Sequence, residues 1–444
     1  MPRPIGIDLF AGAGGMSLGF EQAGFDVVAA VEIDPIHAAV HSFNFPNCAT
    51  LARSVEGLRG DEIRQQAGIG ARKVDVVFGG APCQGFSLIG QRAFDDPRNR
   101  LVEDFVRIVK ELDADFFVFE NVKGITVGKH VQFLREVIAE FDQSGYSVRL
   151  PWQVLNAAHF EVPQNRERLI LMGGKKGLRL PEYPRPICSV AGTEGAENGL
   201  HFGPTCMDAL DDLPDAEKFD ALLDRDWVKA RFGRPSHYAK VLRGLTSSAD
   251  DLSYPREWND ELLTSSMRSE HTQLSRKRFA KTIAGDVEPI SRFFKLPPQG
   301  VSNTLRAGTD TARGAFTSPR PIHYKFARCV TVREMARLHA YPDWFRLHQT
   351  KWHGARQIGN SVPPPLAKAV AKEIVRAAGY RLRKPTKVLK LGDDKLLTLD
   401  MSAAAQYFDI AVPIRQRDRK GTPRPKQSSS EIPDQIPFTG GTSS

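Results

Sequence analysis

Short apolar runs alternate with amphipathic segments over the first 175 residues of the chain, and this pattern limits the fold more than any other feature. The apolar runs predict strands, and the amphipathic segments at residues 101–112 and 131–141 predict helices. Because strands that alternate with helices are joined by crossovers, we expect a doubly wound α/β domain with a mainly parallel sheet. The predicted strands are residues 5–10, 26–31, 74–78, 116–120 and 169–172.

A different kind of sequence follows, from residue 175 to about residue 320, which is rich in Pro, Gly, Ser and Arg and has few periodic runs. Between residues 268 and 328 there are twelve Lys or Arg against four Asp or Glu. This region predicts a second, smaller and basic domain with much irregular structure. Helical periodicity returns at residues 332–339, 366–378 and 401–408, before a Pro-, Ser- and Gly-rich end for which we expect disorder.

The composition is that of an ordinary globular protein and argues against several other classes. Of the 444 residues, 41% are hydrophobic and 25% are charged. No window approaches the roughly 18 consecutive apolar residues of a membrane span, and the N-terminus predicts no secretory signal. The five cysteines show neither paired metal-ligand spacing nor an even disulfide framework, which favours a reducing cytoplasm. The net charge of +9 permits a polyanionic partner.

The motif GGAPCQGFS, at residues 79–87, follows directly on a predicted strand. An apolar run that stops at two glycines predicts a buried strand ending in a tight loop. Cys83 would then stand at the rim of the sheet, where ligands bind in open α/β folds. Taken alone, this cysteine has a simpler interpretation as a small buried hydrophobe.

A glycine-rich turn, DLFAGAGG at residues 8–15, closes the first predicted strand. Glycines there let a backbone approach a ligand closely, but no Gly-Lys-Ser/Thr follows, which argues against a phosphate-binding P-loop. The second strand ends near Glu32, and an acid in that place suits the two hydroxyls of a ribose. The pair of features predicts a nucleoside-containing ligand rather than a plain turn.

Further polar groups stand at other predicted strand ends. Glu120 emerges from the apolar run FFVF, so its pKa should be raised if its end is desolvated, as an acid or hydrogen-bond donor requires; a solvated carboxylate is the alternative. Arg166 and Arg168 lie two residues apart in an extended segment. They should point the same way and could clamp one polar ligand, or form an ordinary charged surface loop.

Two segments near the end of the periodic sequence have capping signatures. Asn360 and Ser361, in GNSVP at residues 359–363, could cap the helix that follows or contact a ligand. Thr331 and Glu334 fit a capping box, for which a structural role is sufficient.

Together these segments resemble the DNA (cytosine-5)-methyltransferase family, over residues 5–172 and again over 320–378. The resemblance depends on the order of the motifs as much as on any one of them. In chain order they are the glycine-rich turn, Pro82-Cys83, Glu120-Asn121-Val122, Gln164-x-Arg166-x-Arg168, Arg333-Glu334 and GNSVP. In this family Arg333 and Glu334 would be structural support.

The resemblance implies S-adenosylmethionine as the cofactor, and no metal. Glu32 would hold the ribose, and Asn360 with Ser361 would close the site. The acid that contacts the adenine would be Asp61, unless its place is taken by Ser54, which cannot play the same role. The implied cofactor-binding residues are Asp8, Phe10, Gly12, Gly14, Glu32, Asp61, Pro82, Asn360 and Ser361.

The resemblance also implies covalent catalysis. Cytosine C5 is a poor nucleophile, and a Cys83 thiolate adding to C6 would make it reactive toward the methyl donor. Glu120 would hydrogen-bond the ring N3 and the exocyclic amine, and Arg168, with Arg166 behind it, would bind O2. The base must be flipped out of the duplex, and the loop at residues 85–99 is a candidate lid.

The family's organisation implies a catalytic and cofactor-binding domain at residues 1–178, completed by a return segment at 355–382. A target-recognition domain and hinge would occupy residues 179–354, and a basic, partly disordered tail residues 383–444. The helix at residues 366–378 should return to pack near the glycine-rich turn.

The implied partner is duplex DNA, bound by a monomer that a cognate restriction endonuclease could accompany. One alternative is a tRNA substrate, as in a related group; the long basic region favours duplex DNA. A catalytically silent DNA-binding protein is the other alternative, and the intact Cys83, Glu120 and Arg168 argue against it.

Overall fold

The computed structural model describes residues 2–82, 100–128, 130–196, 199–308 and 319–413, so Cys83 and the loop at residues 85–99 lie outside the described residues. Its centre is one sheet of eight strands. In chain order these are β1 (Ile5–Leu9), β2 (Asp26–Val31), β3 (Ala49–Leu51), β4 (Val76–Gly79), β5 (Phe116–Val122), β6 (Tyr146–Val148), β7 (Gln153–Asn156) and β8 (Glu167–Lys175).

The strand order is β3-β2-β1-β4-β5-β8-β6, and β7 also pairs with β8. Strands β1 to β5 pair in parallel, whereas β8 is antiparallel to β5, β6 and β7. The mainly parallel sheet and all five strands expected from the sequence are therefore confirmed. The three strands that were not predicted, β3, β6 and β7, have only three or four residues each.

Helices pack on both faces of this sheet, as a doubly wound fold requires. Four further short strands lie outside this sheet. The helices are α1 (Gly15–Ala23), α2 (Pro35–Asn44), α3 (Gly60–Gln66), α4 (Arg100–Glu111), α5 (His130–Gln143), α6 (Cys206–Leu210), α7 (His237–Leu242), α8 (Gln273–Lys281), α9 (Val332–Leu338), α10 (Lys351–Asn360), α11 (Pro364–Ala377) and α12 (Met401–Tyr407). The further strands are β9 (Val228–Lys229), β10 (Arg256–Glu257), β11 (Leu262–Leu263) and β12 (Leu389–Lys390).

Successive side chains of the central strands alternate between two hydrophobic cores, because strand residues point to opposite faces. Val77 and Phe117 belong to the core that holds α4 and α5. Their neighbours Phe78 and Val118 belong to the core that holds α1 and α11. No helix in the described ranges is long and apolar enough to cross a membrane.

Helix α11 packs directly against α1, the helix that follows the glycine-rich turn. A Cβ built on Gly19 would lie 2.4 Å from the Cβ of Ala367, a spacing that only glycine allows. Met16 and Phe20 share a core with Val362 and Leu366. The predicted return of this helix to the glycine-rich turn is confirmed.

A third core joins the other face of the N-terminal helices to the later part of the chain. Leu18, Val40 and Phe43 are buried together with Leu210 and Met335, among others. Between residues 179 and 331 the described chain has short helices and two-residue strands, as its irregular sequence predicts. The target-recognition role of residues 179–354 stays a prediction.

The Thr331 capping box is present at the start of α9, with Thr331 and Glu334 bonding each other's backbone N–H. Glu334 also forms a buried ion pair with Arg328, at 2.8 Å. The Arg333 guanidinium donates to the carbonyls of Thr264, Pro342 and Phe345. Both side chains therefore hold the structure together, as expected.

Candidate functional site

A cleft of about 970 Å³ opens at the carboxyl ends of β1, β2, β4 and β5. This is the edge at which open α/β sheets bind ligands. Nine residues expected from the sequence to form the site line the cleft: Asp8, Phe10, Gly12, Glu32, Pro82, Glu120, Arg168, Asn360 and Ser361.

The turn after β1 is bound to the end of β2 through Glu32. The two oxygens of this carboxylate accept hydrogen bonds from Gly12 N at 2.8 Å and from Asp34 N at 2.9 Å. Phe10 has a left-handed backbone, with φ of 62°, which turns the chain sharply at the rim of the cleft. Burial raises the pKa of Glu32.

Asp8 lies beneath this turn, in a buried chain of polar groups. The Ser17 hydroxyl donates to the Asp8 carboxylate at 2.6 Å and lies 3.0 Å from Nε2 of His41. The other ring nitrogen of His41 lies 3.1 Å from the Thr50 hydroxyl. Burial raises the pKa of Asp8 to about 8, although the Ser17 hydrogen bond lowers it.

Glu120 and Arg168 meet at the opposite end of the cleft, on the antiparallel strands β5 and β8. Glu120 Oε1 and Arg168 Nε are 2.8 Å apart, and each side chain is only 12% exposed. Burial raises the pKa of Glu120, and the two nearby guanidinium groups of Arg168 and Arg166 offset this only in part. The raised pKa agrees with the sequence-based expectation.

The chain that leads to Cys83 is attached to the end of β5. Asn121 Nδ2 donates to the carbonyl of Ala81 at 3.1 Å, and Pro82 lines the cleft. A Cβ built on Gly80 would lie 2.4 Å from Oε2 of Glu120, so a side chain at this position would have to displace that carboxylate. Cys83 itself lies outside the described residues, and its role stays a prediction.

Arg166 does not form a clamp with Arg168. Its guanidinium is fully buried and donates to the carbonyls of Leu305, at 3.0 Å, and Gly359, at 2.8 Å. Both Arg166 and Arg168 act electrostatically on Glu120, but only Arg168 is among the residues described as lining the cleft. Arg166 therefore joins the loop at Leu305 to the end of α10 beside the cleft, and it is not among the described lining residues.

Gly14 and Asp61 are absent from the described lining of the cleft, and their assignment as cofactor-binding residues stays a prediction. Gly14 has φ of 100°, and a Cβ there would lie 2.3 Å from the ring of Phe45. The side chain of Asp61 is 70% exposed and pairs with Arg59. Ser54, the alternative to Asp61, is not among the lining residues either.

Ser361 does not cap the helix that follows it, because Pro363 stands at the N-cap of α11; its contact with a ligand stays a prediction. It caps the end of α10, where its hydroxyl donates to the carbonyl of Ile358 at 2.9 Å. The same hydroxyl lies 3.0 Å from Nε2 of the buried His339, whose other ring nitrogen is 2.9 Å from the Gln164 amide. Asn360, the last residue of α10, also lines the cleft.

Several lining residues were missed from the sequence: His37, residues 304–307, Arg356, Met401 and Pro413. His37 lies one turn into α2, close to Glu32 in the chain, and its place after an acid at a strand end could have indicated it. Met401 and Pro413 are separated from every other site motif by long stretches of chain, and no local pattern indicates them.

The protein has an α/β fold with a cleft at the carboxyl edge of a largely parallel sheet, the place where open α/β proteins bind their ligands. The family model of C-5 cytosine-specific DNA methylases matches residues 6–376. The chain belongs to this family and is a DNA (cytosine-5)-methyltransferase, as its motifs indicated.

Individual members of the family are similar in sequence to this protein over most of its length. It is 57% identical over 425 residues to Type II methyltransferase M.XorII of Xanthomonas oryzae pv. oryzae (strain KACC10331 / KXO85), covering 96% of this chain and 97% of that protein. It is 33% identical over 375 residues to Type II methyltransferase M1.HphI of Haemophilus parahaemolyticus, covering 83% and 86%. A solved E. coli structure, of a prophage-encoded protein proposed to be a DNA modification methyltransferase, has a TM-score of 0.68 and 31% identity, covering 85% of this chain and 100% of that one.

Proposed function

We propose that this protein transfers a methyl group from S-adenosylmethionine to C5 of cytosine in a specific duplex DNA sequence. We further propose that it acts as a monomer and is the modification enzyme of a restriction-modification pair, as the Type II names of its relatives suggest. One observation carries the proposal: a single cleft brings together Glu32, Glu120 and Arg168, and the chain that enters Cys83 runs along its edge.

The cleft fits S-adenosylmethionine in size and in the chemistry of its walls. About 970 Å³ lies within the range of pockets that enclose such ligands. Gly12 has no atom within 4 Å of where a Cβ would be, which leaves room above the turn. Each Glu32 oxygen has accepted one N–H and retains a lone pair for a ribose hydroxyl. Bound there, the cofactor supplies an electrophilic methyl group on a sulfonium.

Cys83 is the nucleophile in this proposal. Its thiolate adds to C6 of cytosine, and the ring becomes an enamine whose C5 is nucleophilic. C5 would take the methyl group, and the pair of the broken S–CH3 bond would stay on the cofactor's sulfur, which becomes a neutral thioether. A base then removes the C5 proton, and the C6–S bond breaks. The thiolate leaves with its electron pair, and 5-methylcytosine is formed.

Glu120 and Arg168 hold the cytosine in this reaction. A Glu120 carboxyl of raised pKa suits a hydrogen bond to N3 and stabilises the ring as it gains a proton there. Arg168, kept in place by Glu120, is suited to binding O2. Groups this deeply buried cannot reach a base stacked within a duplex, so the proposal includes flipping of the base into the cleft.

Replacement of the nucleophile tests the proposal. With labelled S-adenosylmethionine and duplex DNA, we expect Cys83→Ala to lose methyl transfer by roughly 10³-fold or more while retaining DNA binding. Cys48→Ala, which changes another thiol, should retain full activity. A duplex that contains 5-fluorocytosine should form a covalent adduct with the unaltered protein and none with Cys83→Ala. Full activity of Cys83→Ala would disprove the mechanism.

The substrate is tested separately. We expect methyl transfer to duplex DNA and none to tRNA, and bisulfite sequencing of DNA from cells that express the protein should show one methylated sequence. Preferential methylation of tRNA would favour the alternative substrate. A lack of both methyl transfer and adduct formation would favour a silent DNA-binding protein.

A further inference from the structure

The family model ends at residue 376, but the chain continues along the body of the protein. We call residues 389–413 the C-terminal segment. It begins with β12, which pairs in parallel with β10, so that Leu389 lies opposite Arg256. Gly392 N then donates to the carbonyl of Phe43, in α2, at 2.9 Å. This segment is therefore docked on the catalytic fold by backbone hydrogen bonds.

Buried side chains and further hydrogen bonds hold the C-terminal segment in place. Leu396 and Leu397 lie in the same core as Phe43. Gln349 N donates to the carbonyl of Leu397 at 2.9 Å, and the carbonyl of Leu399 lies 3.1 Å from Nε2 of His348. The segment thus bridges α2 and the chain that enters α10, and both of these helices contribute residues to the cleft.

Helix α12 brings Met401 to the cleft. The Asp400 side chain caps this helix by accepting from Ala403 N at 2.8 Å. Ala404 and Ala405, three and four residues after Met401, are fully buried, so Met401 lies on the inward face of α12. Met401 and Pro413 both line the cleft that Glu32 and Asn360 line.

The position of α12 indicates which part of a ligand Met401 would meet. The helix packs against α2, whose first residues, with Ile33 just before them, line the cleft immediately after Glu32. Met401 therefore lies at the end of the cleft beyond Glu32, the carboxylate proposed to hold the ribose. His37 in α2 is buried and lines the cleft, and its Nε2 lies 4.0 Å from Oδ2 of Asp34, with which it can form an ion pair. His37 and Asp34 therefore give polar groups to this end of the cleft, beside α12.

We propose that Met401 is a cofactor-binding residue, and that the C-terminal segment forms the outer wall of the cleft against the adenine of S-adenosylmethionine. The flexible, polarizable thioether of methionine suits contact with a flat aromatic ring. The inference rests on the proposed function, because it requires that S-adenosylmethionine occupies this cleft.

Calorimetric binding of S-adenosylhomocysteine to the full chain, without DNA, tests the inference. We expect Met401→Ala to raise the dissociation constant about tenfold, and Met401→Leu to stay within about twofold of the unaltered protein. Gln406→Ala, an exposed change on the same helix, should have no effect. In the transfer assay, Met401→Ala should raise KM for the cofactor and leave KM for DNA and kcat at saturating cofactor unchanged.

Each outcome is informative. An unchanged dissociation constant for Met401→Ala overturns this inference alone and leaves the proposed function intact. Failure of the unaltered protein to bind S-adenosylhomocysteine overturns both. If alanine lowers the thermal midpoint of unfolding, Met401→Gln, which keeps the length of the side chain and makes it polar, provides the same test.

Discussion

The Glu120 carboxylate and the Arg168 guanidinium form an ion pair of 2.8 Å between two antiparallel strands at the inner end of the cleft. The arginine fixes the direction of the carboxyl group. Burial, the dominant influence, nevertheless keeps the pKa of Glu120 raised. The pair therefore presents an oriented carboxyl group that accepts a proton more readily than an exposed glutamate does.

Glu120→Gln should lower kcat by roughly 10²- to 10³-fold, because an amide keeps the shape but cannot take up a proton in the same way. DNA affinity should change little. Glu167→Gln is the matched control, since Glu167 is exposed and pairs with Lys123 across the surface. Methyl transfer at saturating substrates measures the effect, and equal activity of the two variants would exclude a catalytic role for Glu120.

Gly80→Ala should displace Glu120. The added Cβ would lie 2.4 Å from Oε2, and the ion pair with Arg168 leaves that carboxylate little freedom to move. We expect a loss of kcat of about tenfold or more. Gly124→Ala introduces the same methyl group where no atom lies within 4 Å, and it should be nearly neutral. Similar kcat values for the two variants would contradict the crowding at Gly80.

Site residues whose positions depend on the neighbouring sequence could be predicted. Contacts that depend on the packing of distant parts of the chain could not. Glu120 could be identified because the apolar strand before it fixes where it emerges. The carbonyl partners of Arg166 at Leu305 and Gly359 could not be predicted, because they lie 139 and 193 residues away in the chain. The lack of a side chain at Gly14 leaves room for the ring of Phe45, which lies 31 residues further along the chain. Met401 reaches the cleft only because the C-terminal segment folds back over α2.

Asp8 predicts a pH dependence of stability. Its pKa is about 8 in the folded protein, against an ordinary value of 3.8, because burial disfavours the charged form. Between these two pKa values the folded state holds a proton on Asp8 that the unfolded state has lost. Proton binding at Asp8 therefore adds to the free energy of unfolding, fully below about pH 4 and less and less as the pH rises to about 8. Asp8→Asn removes the titration.

The free energy of unfolding of Asp8→Asn, relative to that of the unaltered protein, should therefore rise between pH 5 and pH 8 and level off above, near the folded pKa of about 8. Denaturant unfolding at a series of pH values measures this difference. Asp61→Asn, at an exposed side chain, should show no such rise. A difference that is independent of pH would mean that Asp8 ionises normally.

Substitution of Arg166 should mainly lower the free energy of unfolding, whereas substitution of Arg168 should mainly lower kcat. Arg166→Met leaves the carbonyls of Leu305 and Gly359 without their donor, so we expect a loss of about 2 kcal/mol in the free energy of unfolding. It should also raise KM for the cofactor, because Asn360 follows Gly359 at the cleft. Arg168→Met should lower kcat by about 10²-fold or more with a smaller loss of stability, since its guanidinium faces the cleft. Unfolding and transfer measurements on both variants decide the matter, and the reverse pattern would show that Arg166 is the residue that binds cytosine.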